Sequence, residues 1–250
     1  MHATIARLCC LTTLWTGTAM AQPARQWPVH STERPQPPVV DAGAGALPVP
    51  PPADAVVLFG GTDLSKWAHD SGRAPAWIVR DGWFEVRPGT GTLMTRESFG
   101  DVQLHIEWST PDPAKGTGQD RGNSGVFFLS RYEVQVLDSH DNTTYPDGQA
   151  GALYGQFPPL VNASRPPGAW QSFDIVFRGP RFDSSGSVTR PATVTVFHNG
   201  ILVQDHVTLS GPTAHRARPP YEAHPDRLPI RLQDHAHPVR FRNIWLRELR

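Results

Sequence analysis

Apolar and polar residues alternate with a period of two in many short stretches of this chain, and no long run shows the three- and four-residue spacing of an amphipathic helix. The alternation predicts strands at Ala55–Phe59, Trp77–Arg80, Trp83–Val86, Leu93–Thr95, Val102–Ser109, Ser124–Ser130, Tyr132–Asp138, Ser172–Arg178, Ala192–His198, Ile201–Leu209, Ile230–Asp234 and Val239–Leu249. Turn dipeptides such as Asp81-Gly82 and Asn199-Gly200 separate them. The second, between Val194-Thr195-Val196-Phe197 and Leu202-Val203-Gln204, predicts a hairpin, because Asn and Gly accept the positive φ a two-residue turn imposes. Many short strands without helices imply an all-β fold, two antiparallel sheets packed face to face as a jelly roll or related sandwich. If one sheet curves, its outer face becomes a groove.

The N-terminus has a different pattern. Met1 to Ala21 combines a weakly basic start (His2, Arg7), an apolar run from Leu8 to Trp15 and small residues at Ala19 and Ala21, the anatomy of an export signal cleaved before Gln22. The run is too short to span a bilayer, and no later stretch is apolar enough, so a soluble periplasmic or secreted product is expected. From Gln22 to about Asp54 nine prolines interrupt a stretch with almost no periodicity, which reads as a disordered or extended tether. Residues 55–250 then form one domain of ordinary size.

Composition narrows the chemistry. Cys9 and Cys10 both fall inside the signal, so the mature chain has no thiol for a disulfide, a thiolate metal site or a cysteine nucleophile. Basic and acidic residues number 23 each, and loss of Arg7 leaves a net charge of −1, which implies no nucleic-acid partner. His-Glu-x-x-His, EF-hand, Gly-x-Ser-x-Gly and dinucleotide-binding signatures are absent. Asp138, His140, Asp141 and Asp147 form an oxygen-rich loop open either to calcium or to no ion at all.

Two predicted strands carry unusual polar faces. Glu133 and Gln135 share one side of their strand, and Arg231, Gln233 and His235 share one side of theirs, while Val134, Val136, Ile230 and Leu232 point to the core. A carboxylate, two carboxamides, a guanidinium and an imidazole suit a ligand rich in hydroxyls and can move protons on it. The plainer reading is a Glu133–Arg231 ion pair beside a Gln135–Gln233 hydrogen bond across strands. Glu107 shares a polar face with His105 and is placed with the groove; Asn123 enters it from a tight turn. Tyr154, in a Gly-rich loop, and Trp170 are candidates for a sugar-stacking platform. Asp174 and Arg178, at i and i+4 of one strand, read as a structural pair.

Leu58-Phe59-Gly60-Gly61-Thr62-Asp63-Leu64-Ser65-Lys66-Trp67, Asp81-Gly82-Trp83, the Phe99 to Trp108 stretch, Gly122-Asn123-Ser124-Gly125-Val126-Phe127, Tyr132 to Asp138, Gly151-Ala152-Leu153-Tyr154-Gly155, Trp170-Gln171-Ser172-Phe173-Asp174, His198-Asn199-Gly200 and the Ile230 to Trp245 block follow one another in an order and spacing that resemble the bacterial 3-keto-disaccharide hydrolase family over Val56 to Leu249. Ala236 departs from it, standing where many relatives have glycine after the Asp-His pair, so the local turn is expected to differ. The resemblance implies a concanavalin A-like jelly roll. It also implies cleavage of glycosides whose glucose unit has been oxidised at C3 by a partner oxidoreductase.

A ketone at C3 acidifies the C2 hydrogen. A base can remove it, the enolate can expel the aglycone from C1, and water can then add back. This needs a general base near C2 and a group to stabilise the enolate oxygen. Glu133 is the first candidate base and His235 the second, with Arg231 or a metal for the enolate; Gln135, Gln233, Glu107, Asn123 and Tyr154 are the candidate substrate-binding residues. The alternative is a non-catalytic carbohydrate-binding sandwich, because lectins and hydrolases share this architecture.

Overall fold

Inward-facing side chains mark two sheets. On one, Leu104, Ile106, Trp108, Phe173, Ile175 and Phe177 are buried; on the other, Leu93, Val126, Phe128, Val134, Val136 and Leu232 are. All belong to a single hydrophobic core, within which Phe128 stacks on Phe177 with ring centroids 4.7 Å apart.

The computed structural model describes residues 27–250; the export signal expected at Met1 to Ala21 lies outside the described residues. Fifteen strands follow in order: β1 (Val56–Phe59), β2 (Trp67–His69), β3 (Ile78–Arg80), β4 (Trp83–Glu85), β5 (Leu93–Thr95), β6 (Val102–Ser109), β7 (Ser124–Phe128), β8 (Tyr132–Val136), β9 (Gln171–Arg178), β10 (Arg181–Phe182), β11 (Val188–Arg190), β12 (Thr193–His198), β13 (Ile201–Thr208), β14 (Arg231–Leu232) and β15 (Arg240–Glu248). Among the described residues there is no α-helix, only one turn of 3₁₀ helix at Pro146–Gly148. Eight strands form one antiparallel sheet in the order β13-β12-β9-β6-β15-β4-β3, with β1 also on β15; five form the other in the order β2-β5-β14-β7-β8. A separate ribbon pairs β10 with β11. The chain is thus the expected all-β jelly-roll sandwich of two antiparallel sheets.

The predicted hairpin joins β12 to β13, and Asn199 and Gly200 at its tip have φ of 53° and 81°. At residue 236 the turn has a left-handed backbone at an alanine: Ala236 has φ 62°, and Asp234 Oδ1 accepts its N–H at 2.9 Å. A side chain in that region costs about 1–2 kcal/mol. The alternation missed β2, β10 and β11, which are two or three residues long.

The described part of the proline-rich stretch, from residue 27 on, is extended and fastened to the sandwich rather than free. Val40 N–H donates to Asn162 O and Asn162 N–H to Pro38 O, at 2.9 and 2.8 Å. Gln36 donates to Thr144 O at 2.8 Å and accepts from Gln149 at 2.6 Å. Val49 N–H donates to Glu107 Oε1 at 3.0 Å, and Asn243 donates to Val49 O at 2.7 Å. Proline holds φ near the extended region and lacks an N–H, so such a segment forms no ladder but can lie along a surface wherever side chains meet its remaining backbone groups.

Candidate functional site

Three neighbouring strands of the smaller sheet carry the site. In the order β14-β7-β8, Arg231 stands opposite Phe127, which stands opposite Glu133. One step along, Gln233 N–H donates to Gly125 O at 3.1 Å, and Gly125 stands opposite Gln135. The outer face therefore holds two rows, Glu133–Phe127–Arg231 and Gln135–Gly125–Gln233. β7 lies between the two polar strands, so residues on β8 and β14 are roughly 10 Å apart across two strand spacings. That separation is why neither the Glu133–Arg231 ion pair nor the Gln135–Gln233 hydrogen bond forms among the described residues. Arg231 instead lies with its guanidinium carbon 5.7 Å from the Phe127 ring, its Nε buried without a partner.

Gly125 makes the hollow. A β-carbon there would come within 2.2 Å of Glu133 Oε1, so the carboxyl lies in space that only glycine leaves open. The resulting cavity, about 300 Å³, is lined by Asn123, Phe127, Glu133, Gln135, Tyr154, Gln233 and His235, and closed by Thr213, Ala214 and His215 from the loop after β13. Side chains about a hundred positions apart, Glu133 and His235, thus meet in one pocket.

Glu133 is only 6% exposed, and among the described residues its carboxyl has no hydrogen-bond partner. Burial pushes its pKa up from the usual carboxylate range to about 8, against the opposing pull of the Arg231 charge. Burial, seconded by the His237 ring stacked 5.7 Å away, pushes the His235 imidazole below its ordinary value. Gln135 spends its amide N–H groups on Asn123 Oδ1 (3.0 Å) and Val136 O (3.3 Å), leaving its Oε1 to accept from a ligand hydroxyl. Gln233 Oε1 is buried without a partner. Tyr154 hydroxyl lies 2.8 Å from that of Tyr145 and 3.2 Å from His215 Nδ1.

Six of the residues picked out by sequence, Glu133, Gln135, Asn123, Tyr154, Gln233 and His235, line the cavity. Arg231 does not; it reaches Glu133 through its charge, with Phe127 between them. Glu107 is a correction. It lies on β6 in the opposite sheet, fully buried, bonded by Arg242 Nε and Asn243 Nδ2 (both 2.7 Å) and by Val49 N–H (3.0 Å), so it anchors the proline-rich strap. Asp174 pairs with His105 at 2.7 Å and Arg178 with Asp101 at 3.4 Å, not with each other. Trp170 lies under Arg242, 4.1 Å from its guanidinium carbon, away from Tyr154. The four acidic and imidazole groups read as a possible calcium loop are divided: Asp138 is held by Arg121 at 2.8 Å and Asp147 by His30 at 3.3 Å. No three His, Cys, Asp or Glu side chains among the described residues gather in a way that would hold a metal ion. Sequence reading missed Phe127, Thr213, His215 and the nearby Tyr145 and His30, all on loops without periodicity except Phe127, whose aromatic ring looks like core.

Comparison with known proteins decides the family. The family model for the 3-keto-alpha-glucoside-1,2-lyase-like domain matches residues 54–247. The chain belongs to this family. Among solved structures, a candidate glycosyl hydrolase from Parabacteroides distasonis ATCC 8503 is 43% identical, with 83% of this chain and 95% of that one covered and a TM-score of 0.77. Two further candidate glycosyl hydrolases from the same organism, 18% and 20% identical, cover 79% and 78% of this chain and 94% and 99% of their own, with TM-scores of 0.59 and 0.56, and show the shared fold. No curated protein matches. The family match begins at residue 54, so the strap that carries His30 lies outside it.

Proposed function

We propose that this protein is an exported enzyme that cleaves 3-keto-glucosides by elimination and hydration. Glu133 takes the C2 proton of the keto sugar, the C1–oxygen bond to the aglycone breaks, and water adds to C1 of the resulting enone as Glu133, after exchange with solvent, delivers a proton to C2. The carrying observation is that Glu133 is the single carboxylate lining the cavity among the described residues. Oxocarbenium hydrolysis calls for two carboxylates flanking the bond; one buried carboxylate with a raised pKa suits proton abstraction next to a carbonyl. Family membership and the 43%-identical candidate glycosyl hydrolase support action on glycosides. Gln135, Gln233, His235 and Asn123 supply the hydrogen bonding a pyranose ring requires, and the Arg231 charge favours the anionic intermediate. The substrate must come from an oxidoreductase that makes the C3 ketone.

The test is to incubate the protein in D₂O with a 3-keto-disaccharide and with its parent disaccharide, with and without chelator. Cleavage of the keto form alone, with deuterium at C2 of the released keto sugar, is expected; Glu133→Gln should lower turnover about 100-fold or more. Cleavage that leaves C2–H intact overturns the elimination route. Binding of the unoxidised disaccharide with no turnover of either sugar would make the protein a carbohydrate-binding module instead.

A further inference from the structure

The strap does more than lie on the sandwich. His30 is nearly buried. Its Nδ1 is 3.3 Å from Asp147 Oδ1, and its backbone N–H donates to Asp147 Oδ2 at 3.0 Å. Its Nε2 accepts the Arg216 N–H at 3.3 Å. A nitrogen that accepts carries no hydrogen, so the Nδ1–H tautomer is the one this network requires, with Nδ1 donating to Asp147. His30 therefore ties the Pro146–Gly148 turn to the loop bearing His215. Its ring rests on Tyr145, centroids 3.9 Å apart, and lies 5.0 Å from Tyr154 and 5.5 Å from His215. Asp147 O in turn accepts Gly155 N–H at 2.9 Å, next to Tyr154. The β8–β9 connection and the loop after β13 converge on this one imidazole, and both deliver hydroxyl or ring groups to the cavity wall.

Elimination leaves one chemical demand unmet: an alkoxide departing from C1 needs a proton. Among the described residues two hydroxyls line the cavity. Thr213 Oγ1 is committed, accepting Glu133 N–H and donating to Arg131 O, both at 3.0 Å. Tyr154 is the other, and its partners Tyr145 and His215 can hold and return a proton. We infer that Tyr154 protonates the departing glycosidic oxygen and that His30, from the strap outside the family domain, is the positioning residue that sets Tyr154 and His215 for it. The protons balance. In elimination the C2 proton passes to Glu133 and the Tyr154 proton to the leaving oxygen; in hydration the Tyr154 phenolate takes a proton from the incoming water, its hydroxide bonds C1, and Glu133, its proton exchanged with solvent, protonates C2. Burial holds the phenol above its ordinary pKa, so it stays protonated until an alkoxide forms.

This inference rests on the elimination reading, and leaving-group dependence tests it. The mature protein is assayed with methyl 3-keto-glucoside, whose alkoxide requires a proton, and with 4-nitrophenyl 3-keto-glucoside, whose phenolate does not. Tyr154→Phe should lower kcat on the order of 100-fold for the methyl glycoside and less than about 10-fold for the nitrophenyl one. His30→Ala should show the same asymmetry at about 10-fold, and His30→Gln, whose amide can both donate and accept, should recover part of it. Equal losses on both substrates, which a merely structural role would give, overturn the assignment, as does an unchanged His30→Ala enzyme. Failure of the unaltered protein to cleave either glycoside sinks the elimination reading itself, and this inference with it.

Discussion

Replacing Gly125 with alanine separates the catalytic geometry from the stability of the sheet. A β-carbon at 125 would sit 2.2 Å from Glu133 Oε1, 3.0 Å from its Cδ and 2.9 Å from Phe127 Cε2. Ordinary contact lies near 3.5 Å, so the carboxyl must retreat by more than 1 Å. Backbone strain is no part of this, because Gly125 is not among the positive-φ glycines. The unfolded chain in fact loses entropy on Gly→Ala, worth about 0.4–1 kcal/mol in favour of folding, which roughly offsets the displaced side chain. With Glu133 as the proposed base, its carboxyl is moved from the C2 it is to deprotonate, and a 1 Å misplacement costs about 100-fold in rate. Gly125→Ala should thus show a thermal midpoint close to that of the unaltered protein and a kcat about 100-fold lower on a 3-keto-glucoside. The retreating carboxyl also leaves its dry hollow, so the alkaline midpoint in kcat/KM should fall. Unchanged kcat in a stably folded Gly125→Ala protein would refute the role of Glu133 as base and the view that Gly125 shapes the pocket.

Three other outcomes are expected. With Glu133 as base, kcat/KM rises with pH through a midpoint near 8, the pKa to which burial raises its carboxyl; with His235 as base the midpoint falls below its ordinary 6.5 instead, and the pH–rate profile distinguishes them. The same raised pKa means the folded state holds the Glu133 proton more tightly than the unfolded chain, so this group's contribution to stability is full below its ordinary 4.5 and is lost as pH rises through about 8; thermal melts of Glu133→Gln should lack that loss. Glu107→Ala, which strips a fully buried carboxylate from Arg242, Asn243 and Val49, should cost about 3–5 kcal/mol in denaturant unfolding, and Ala236→Gly should stabilise by about 0.5–1 kcal/mol by relieving its φ of 62°.

Much of this protein follows from the chain alone because a strand writes its own period. Val134 and Val136 against Glu133 and Gln135, or Leu232 against Arg231 and Gln233, declare inside and outside within a few residues, and Asn199-Gly200 declares its turn. Of the strands only two or three residues long, β2, β10 and β11 escape the alternation. A polar face says nothing about which sheet bears it, so Glu107 looked like Glu133 although the two lie on opposite sheets. Only the tertiary structure decided that β7 runs between the two polar strands, because strand order is settled by packing between segments distant in sequence. That order places Phe127 between Glu133 and Arg231 and puts Gly125 under the carboxyl. It likewise decided that a proline-rich stretch with no pattern of its own brings His30 to the pocket wall, since an extended segment takes its position from whatever partners the folded surface offers.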